Sequence, residues 1–279
     1  MKTLLIPIDF SDTSENVIQY AADFVKDAAV DQIILLKSYS ISMFAQLLPS
    51  ADYVQMNASD IEEEREKIEK NVKLIAQTLQ EKCDASTKVE TAISELPMLR
   101  AIHQLIDQER PGLLMIGSDH HSSPDKSPIG EQVISIAKTS PVPVLIVPAG
   151  LRYQRIRHAL VPCDFTAVSR LILLKELRSS YQWLRPELTV LNVDPIQEYF
   201  AHEEENSQAL KEILESYAYK VYYSEDPDTV HGILSFAEKN DIQLLIALPG
   251  QHSFFYNLTH RSITNALALN ATQPVLILK

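Results

Sequence analysis

A chain of 279 residues, 46% of them apolar, has material for two domains of ordinary size, each with its own core. Its net charge of −12 argues against a nucleic-acid backbone or an anionic membrane surface as partner. The only cysteines, Cys83 and Cys163, lie far apart and supply neither a disulfide framework nor a zinc pattern, and no apolar run reaches the roughly 18 residues of a membrane-spanning helix.

The opening MKTLLIPIDF passes straight into a strand pattern, without the apolar region and cleavage site of a signal peptide, so the expected compartment is the cytoplasm. Leu4–Ile8 reads as a buried strand ending at Asp9. Ser11, Asp12 and Ser14 are helix-starting residues, and Glu15 stands three after Asp12, as in a capping box. Val17, Tyr20, Ala21, Phe24 and Val25 then share one helical face, and Ile33–Leu36 is a second strand. Ile41–Asp60 has no clear period. It carries Met43, Phe44, Leu47, Leu48 and Tyr53, too many apolar side chains for one exposed patch, so it is expected to cover the first-half sheet end or to contact the other domain. From Ile61 a helix is predicted, with Ile68, Val72, Ile75 and Leu79 opposite a solvated charged face that runs from Glu62 to Lys82. Lys88–Ile93 alternates as a third strand, and Leu99, Ile102 and Ile106 mark another helix.

The stretch from Leu113 to Pro148 organises the first half. Leu113–Ile116 is an apolar strand closed by Gly117, Ser118–Pro128 is a polar loop, and Val133, Ile136 and Ala137 recur at helical spacing. Pro141 and Pro143 end that helix, and Val144–Val147 is a buried strand. In a parallel α/β sheet the loop after such a strand can hold a ligand against the N-terminus of the next helix. The order returns from Leu244: LLIALP, a loop from Gly250, a helix from about Ser262, then Pro274 and VLIL.

Other segments repeat too. LLIPIDF at Leu4 matches ALVPCDF at Ala159, so Asp9 matches Asp164 at an offset of 155. SELP at Ser94 matches SEDP at Ser224 at an offset of 130, and PVLI at Pro143 matches PVLI at Pro274 at 131. The first half therefore carries the extra length, most of it in Ile41–Asp60. Pro148–Arg157 reads as the linker between a first domain, 1–149, and a second, 155–279. Five strands alternating with helices, twice, imply two doubly wound parallel sheets with helices on both faces.

IPIDFS and VPCDFT, LLMIGS and LLIALPG, SPVPVLIVP and TQPVLILK together resemble the universal stress protein family in a tandem, two-domain form. The resemblance implies a five-stranded parallel sheet of order 3-2-1-4-5 in each half. It also implies packing of the halves through their last strands as a pseudo-dimer, as single-domain members dimerise. Many members bind ATP or AMP through Gly, two residues, Gly, nine residues, Gly, then Ser or Thr. Here Gly117 and Gly130 hold the first and third glycine places, His120 replaces the second, and Glu131 replaces the Ser or Thr. In the second half Ala247, Gly250 and His260 hold the three places, with Arg261 next. The first-half ligand residues implied are Pro7, Asp9, Ser38, Met115, Gly117, Ser118, Gly130 and Glu131; those of the second half are Asp164, Gly250, Arg261 and Ser262. Asp9 is expected at the adenosine end, the Ser38 region beside the base, and the Gly117 and Gly130 backbones at the phosphates. Asp9 and Asp164 read equally well as helix N-terminal acids that need no ligand.

Glu131 begins a helix, where its carboxylate already answers the free N–H groups and repels an incoming phosphate. Nucleotide binding is thus expected to be weak and biased toward fewer phosphates, and Glu131→Ser to raise ATP affinity about tenfold or more. His120 and His121 beside Asp119 and Ser118 lack the separated nucleophile, base and orienter of a triad and the i, i+4 spacing of a helical metal site, so they read as loop histidines. Cys163 reads as a small buried residue. The expected function is a non-enzymatic protein of the bacterial stress response whose partners are its own second domain, an adenine nucleotide and a second copy in a homodimer. A nucleotide-independent interaction scaffold is the alternative. An adenine-nucleotide hydrolase is a third reading, for which no base, metal-binding acid pair or GxxxxGK loop is visible.

Overall fold

The computed structural model describes residues 2–39, 58–119, 128–164, 171–181, 184–193, 203–248 and 263–279. Most of the Ile41–Asp60 insertion, the loop with His120, His121 and Lys126, and Gly250, His252, His260, Arg261 and Ser262 lie outside the described residues. The first half runs β1 (Thr3–Ile8), α1 (Asp12–Ala28), β2 (Gln32–Ser38), α2 (Ala58–Lys82), β3 (Lys88–Ser94), α3 (Met98–Glu109), β4 (Leu113–Ser118), α4 (Pro128–Thr139) and β5 (Val144–Pro148). The second runs β6 (His158–Pro162), α5 (Leu173–Ser180), β7 (Glu187–Val193), α6 (Glu203–Leu214), β8 (Tyr219–Ser224), α7 (Thr229–Lys239), β9 (Leu244–Ala247), α8 (Ile263–Asn270) and β10 (Val275–Ile277).

The strands form one sheet of ten in the order β3-β2-β1-β4-β5-β10-β9-β6-β7-β8. Each half is parallel and follows 3-2-1-4-5. The halves join where β5 and β10 pair antiparallel, Val144 opposite Ile277, Leu145 opposite Leu276 and Ile146 opposite Val275. The expectation of two sheets is thus refined to one continuous sheet, because pairing the last strands leaves neither with an open edge.

Side-chain alternation divides the core between the two faces. Leu4, Ile6 and Ile8 pack with Val17, Tyr20 and Phe24 of α1, Val72 and Leu79 of α2, and Leu174 and Leu214 of the second half. Leu5, Leu114 and Ile116 pack with Ile102 of α3, Val133 and Ile136 of α4, and Ile233 and Leu267 of α7 and α8. Both cores cross the seam between the halves. The predicted charged face of α2 is solvated and carries i, i+4 pairs such as Glu63–Lys67 at 2.8 Å, which at full exposure add little to stability.

Two details differ from expectation. The N-cap of α1 is Ser11, not Asp12: the Ser11 hydroxyl accepts the Ser14 N–H at 3.2 Å. No capping box closes: the Ser11 N–H goes to Asp9 Oδ1 at 3.1 Å, the Ser14 hydroxyl accepts the Asp9 N–H at 3.0 Å, and the Glu15 carboxylate accepts from the Gln19 side chain. The segment expected as a linker lies against the α1 face. Gly150 takes the left-handed turn there (φ 75°), and Leu151, Tyr153 and Ile156 cover the core. The Tyr153 ring meets Tyr20 and Phe24 edge-on at 5.3 and 5.9 Å, and its hydroxyl donates to Asp27 at 2.8 Å.

Candidate functional site

β1 pairs with β2 on one side and β4 on the other. The chain leaves β1 for the α1 face and β4 for the opposite face, so the carboxyl ends of these two strands part around a crevice, the topological switch point of the sheet. The predicted first-half residues gather near it unequally. Asp9 stands at the end of β1. Its Oδ1 accepts the Ser11 N–H at 3.1 Å and both the Ser11 and Ser14 hydroxyls. Its Oδ2 accepts the Ile129 N–H, in the first turn of α4, at 3.0 Å. Burial pushes the Asp9 carboxyl up, but the Ser11, Ser14 and Ile129 donors together outweigh it and hold the group below the ordinary carboxylate range. Asp9 is therefore a helix-terminal acid at two helices at once.

Gly117, at the fifth position of β4, is a packing glycine. A Cβ there would come within 2.4 Å of Thr13 Cγ2 and 2.9 Å of Val17 Cγ2, so its bareness lets the first turns of α1 lie on the strand. Ser118 is buried, and its carbonyl accepts the Ala149 N–H at 3.0 Å. Asp119 follows and accepts a hydrogen bond from the Thr13 hydroxyl. Gly130 and the Glu131 backbone lie in the first turn of α4. Ser38, the last residue of β2, donates to the Leu96 carbonyl at 2.6 Å. Pro7 and Met115 are buried within β1 and β4; Met115 belongs to the α1-face core rather than to the rim of the crevice.

Two residues that sequence reasoning passed over stand at the same strand ends. Phe10 holds a left-handed backbone (φ 67°), rare outside glycine, and the residue is 40% exposed. Lys37, beside Ile8 in the register of β2, places its ammonium 4.5 Å from the centre of the Phe10 ring. The available signals were the Asp-Phe pair repeated in both copies and the place of Lys37 at the end of an apolar strand.

In the second half, Asp164 is exposed after β6. Cys163 is buried as expected. At the 155-residue offset from Lys37 stands Asn192, whose Nδ2 donates to the Cys163 carbonyl at 3.1 Å and whose buried Oδ1 has no partner among the described residues. Ala247 is buried in the place of Gly117. Among the described residues no group of His, Cys, Asp and Glu could hold a metal ion, and no helix is long and apolar enough to cross a membrane.

One sheet order used twice, each time reversing between its first and fourth strands, defines a tandem doubly wound α/β protein. The model of the universal stress protein family matches residues 1–148, and the chain belongs to that family. It is similar over 99% of its length to a universal stress protein from Archaeoglobus fulgidus, covering 96% of that chain at 18% identity with a TM-score of 0.65. A functionally unknown protein from Pseudomonas aeruginosa PAO1 is matched over 99% of this chain and 92% of its own at 13% identity and a TM-score of 0.56. A universal stress protein in complex with cAMP is matched over 53% of this chain and 98% of its own, at 18% identity and a TM-score of 0.38. No curated protein matches the sequence. At such identities the likeness is one of fold.

Proposed function

We propose that this chain is a non-enzymatic, cytoplasmic stress-response protein whose first half takes an adenine mononucleotide at the β1/β4 switch point. The observation that carries the reading is Phe10. An exposed aromatic residue held in the left-handed region at the mouth of the crevice is a feature that packing alone does not call for. An aromatic residue so placed offers a stacking surface for a base, a contact contributing about 1–3 kcal/mol in other nucleotide sites. The choice of adenine comes from the family resemblance. Pro7, Asp9, Ser38, Gly117, Ser118 and Gly130 then frame the site rather than perform chemistry.

The scaffold reading draws on a different observation. The Asp9 carboxylate is filled by donors of the protein itself, and Asp119 accepts from Thr13, so these two acids are answered without a ligand. Calorimetric titration with adenosine, AMP and ATP decides between them. The expected result is measurable binding that Phe10→Ala weakens about tenfold, with ATP no tighter than AMP. Binding of none of the three would leave the scaffold. Steady ATP hydrolysis that disappears in Asp9→Asn would make the protein an enzyme.

A further inference from the structure

We infer that the charged group of the first-half ligand is received by Lys37 at the end of β2, and not by the start of α4. The inference rests on the nucleotide reading above and gives the ligand its orientation.

Lys37 is half-buried beside Asp9 and Phe10. Burial pushes its ammonium down, and the Asp9 carboxylate acts on it through space without pairing with it. Among the described residues no carboxylate lies within ion-pair distance of Lys37 and no acceptor takes its hydrogens; its close contact is the Phe10 ring. The chain carries 37 acidic residues against 25 basic ones, so acids to pair with it are in surplus. A partly desolvated ammonium is costly to leave so, and an aromatic face replaces only part of the hydration it has lost. A phosphate is the partner its chemistry lacks.

The opposite side of the crevice is already answered. The Ile129 N–H of α4 points at Asp9 Oδ2, and Asp119 holds a second carboxylate on the β4 side. A phosphate placed there must displace one carboxylate and sit near another. Gly117 turns its bare Cα toward Thr13 and Val17 and so makes room for α1. Among the described residues the crevice therefore carries carboxylates toward β4 and an ammonium toward β2. The second half has no such ammonium among its described residues, because Asn192 stands in the place of Lys37.

The test is titration of wild type, Lys37→Met, Lys37→Arg and Glu131→Ser with adenosine, AMP and inorganic pyrophosphate, with thermal melting confirming that each variant is folded. Lys37→Met should weaken AMP about tenfold and leave adenosine unchanged, Lys37→Arg should stay within about threefold of wild type, and Glu131→Ser should change AMP affinity by less than about twofold. AMP binding unaffected by Lys37→Met overturns the inference while the nucleotide reading stands, and a gain in Glu131→Ser alongside it would move the phosphate to α4. If wild type binds neither adenosine nor AMP, the nucleotide reading falls. The Lys37 resonance of the 13C-methylated protein then decides: movement with pyrophosphate keeps an anion site there, and a fixed resonance removes it.

Discussion

The ends of β1 and β6 begin alike, IPIDF and VPCDF, and finish differently. At the first, Asp9 is gathered in by Ser11, Ser14 and the Ile129 N–H, with Lys37 alongside. At the second, the matching Asp164 is exposed, Asn192 replaces the lysine, and Ala247 replaces the glycine that lets α1 press on β4. The strand motif recurs; two of the residues that surround its end, Lys37 and Ile129, come from other elements and do not. A shared fold in this chain does not carry a shared site.

The largest effect should come from separating the halves. Residues 1–150 alone would expose the β5 edge that now pairs with β10, together with the apolar seam around Leu145 and Ile146. The fragment should self-associate, and sedimentation equilibrium should report a dimer. A strictly monomeric, folded fragment at high concentration would show that the first half needs no partner, and would break the symmetry implied by the shared strand order.

Next in size is the contrast between the two aspartates. Asp9→Ala leaves the Ile129 N–H, the Ser11 N–H and two hydroxyls without their acceptor, a loss of about 2–4 kcal/mol in urea unfolding. Asp164→Ala, at an exposed residue, should cost clearly less than Asp9→Ala. The pH dependence has a definite sign. Asp9 is held below its ordinary value when folded, so its contribution is fully present above about pH 4 and is lost as pH falls through the lower folded value. Asp9→Asn should lack that acid-side slope. Equal losses at the two aspartates would erase the contrast between the halves.

The third contrast is Gly117 against Ala247. Gly117→Ala drives a methyl into Thr13 and Val17 of α1 and should cost about 1–3 kcal/mol. The reverse change, Ala247→Gly, removes one buried methyl and frees the backbone, for about 1 kcal/mol. Melting temperatures of the pair measure how closely each strand is pressed by its neighbours. A tolerated Gly117→Ala would reopen a role for that residue in contacting a ligand.

Much of this was legible in the chain. Apolar runs marked β1, β2, β4 and β5 and, by repetition, β6, β9 and β10, alternation marked β3, and the Val17–Val25 face of α1 came from its period because burial on one side of a helix must repeat every 3.6 residues. The family resemblance supplied the strand order. The N-cap was misplaced by one residue because Ser11 and Asp12 both suit the role locally, and the choice is made by Asp9, which holds the Ser11 N–H and hydroxyl. Gly117 looked like a phosphate glycine because spacing records where a residue lies along the chain and not what packs against it. Lys37 was overlooked for a similar reason: its significance lies in the absence of a partner among the described residues, which no one-dimensional pattern carries. The 149–157 segment has no period, so its contacts with Tyr20 and Phe24 could not be read from it.

The smallest effect expected lies on the seam, where the halves do cooperate. Lys279, just beyond β10, reaches across to the other half and donates to the carbonyl of Ala137 and, at 3.5 Å, to that of Lys138, in the last turn of α4. These carbonyls lie in the last turn of α4, at the negative end of its dipole, so a cation there is favourable. Burial pushes the ammonium down, which offsets part of the gain. The net loss in Lys279→Met should therefore be about 0.5–1 kcal/mol. The same helix is held at its other end by Asp9, so α4 is capped at its start from within the first half and at its close by the second. Hydrogen exchange separates the two. Lys279→Met should loosen the last turn of α4 and leave the Ile129 amide protected, whereas Asp9→Asn should do the reverse. Uniform loosening of α4 in both variants would mean that the helix opens as one unit and that the seam contributes to the first-half site.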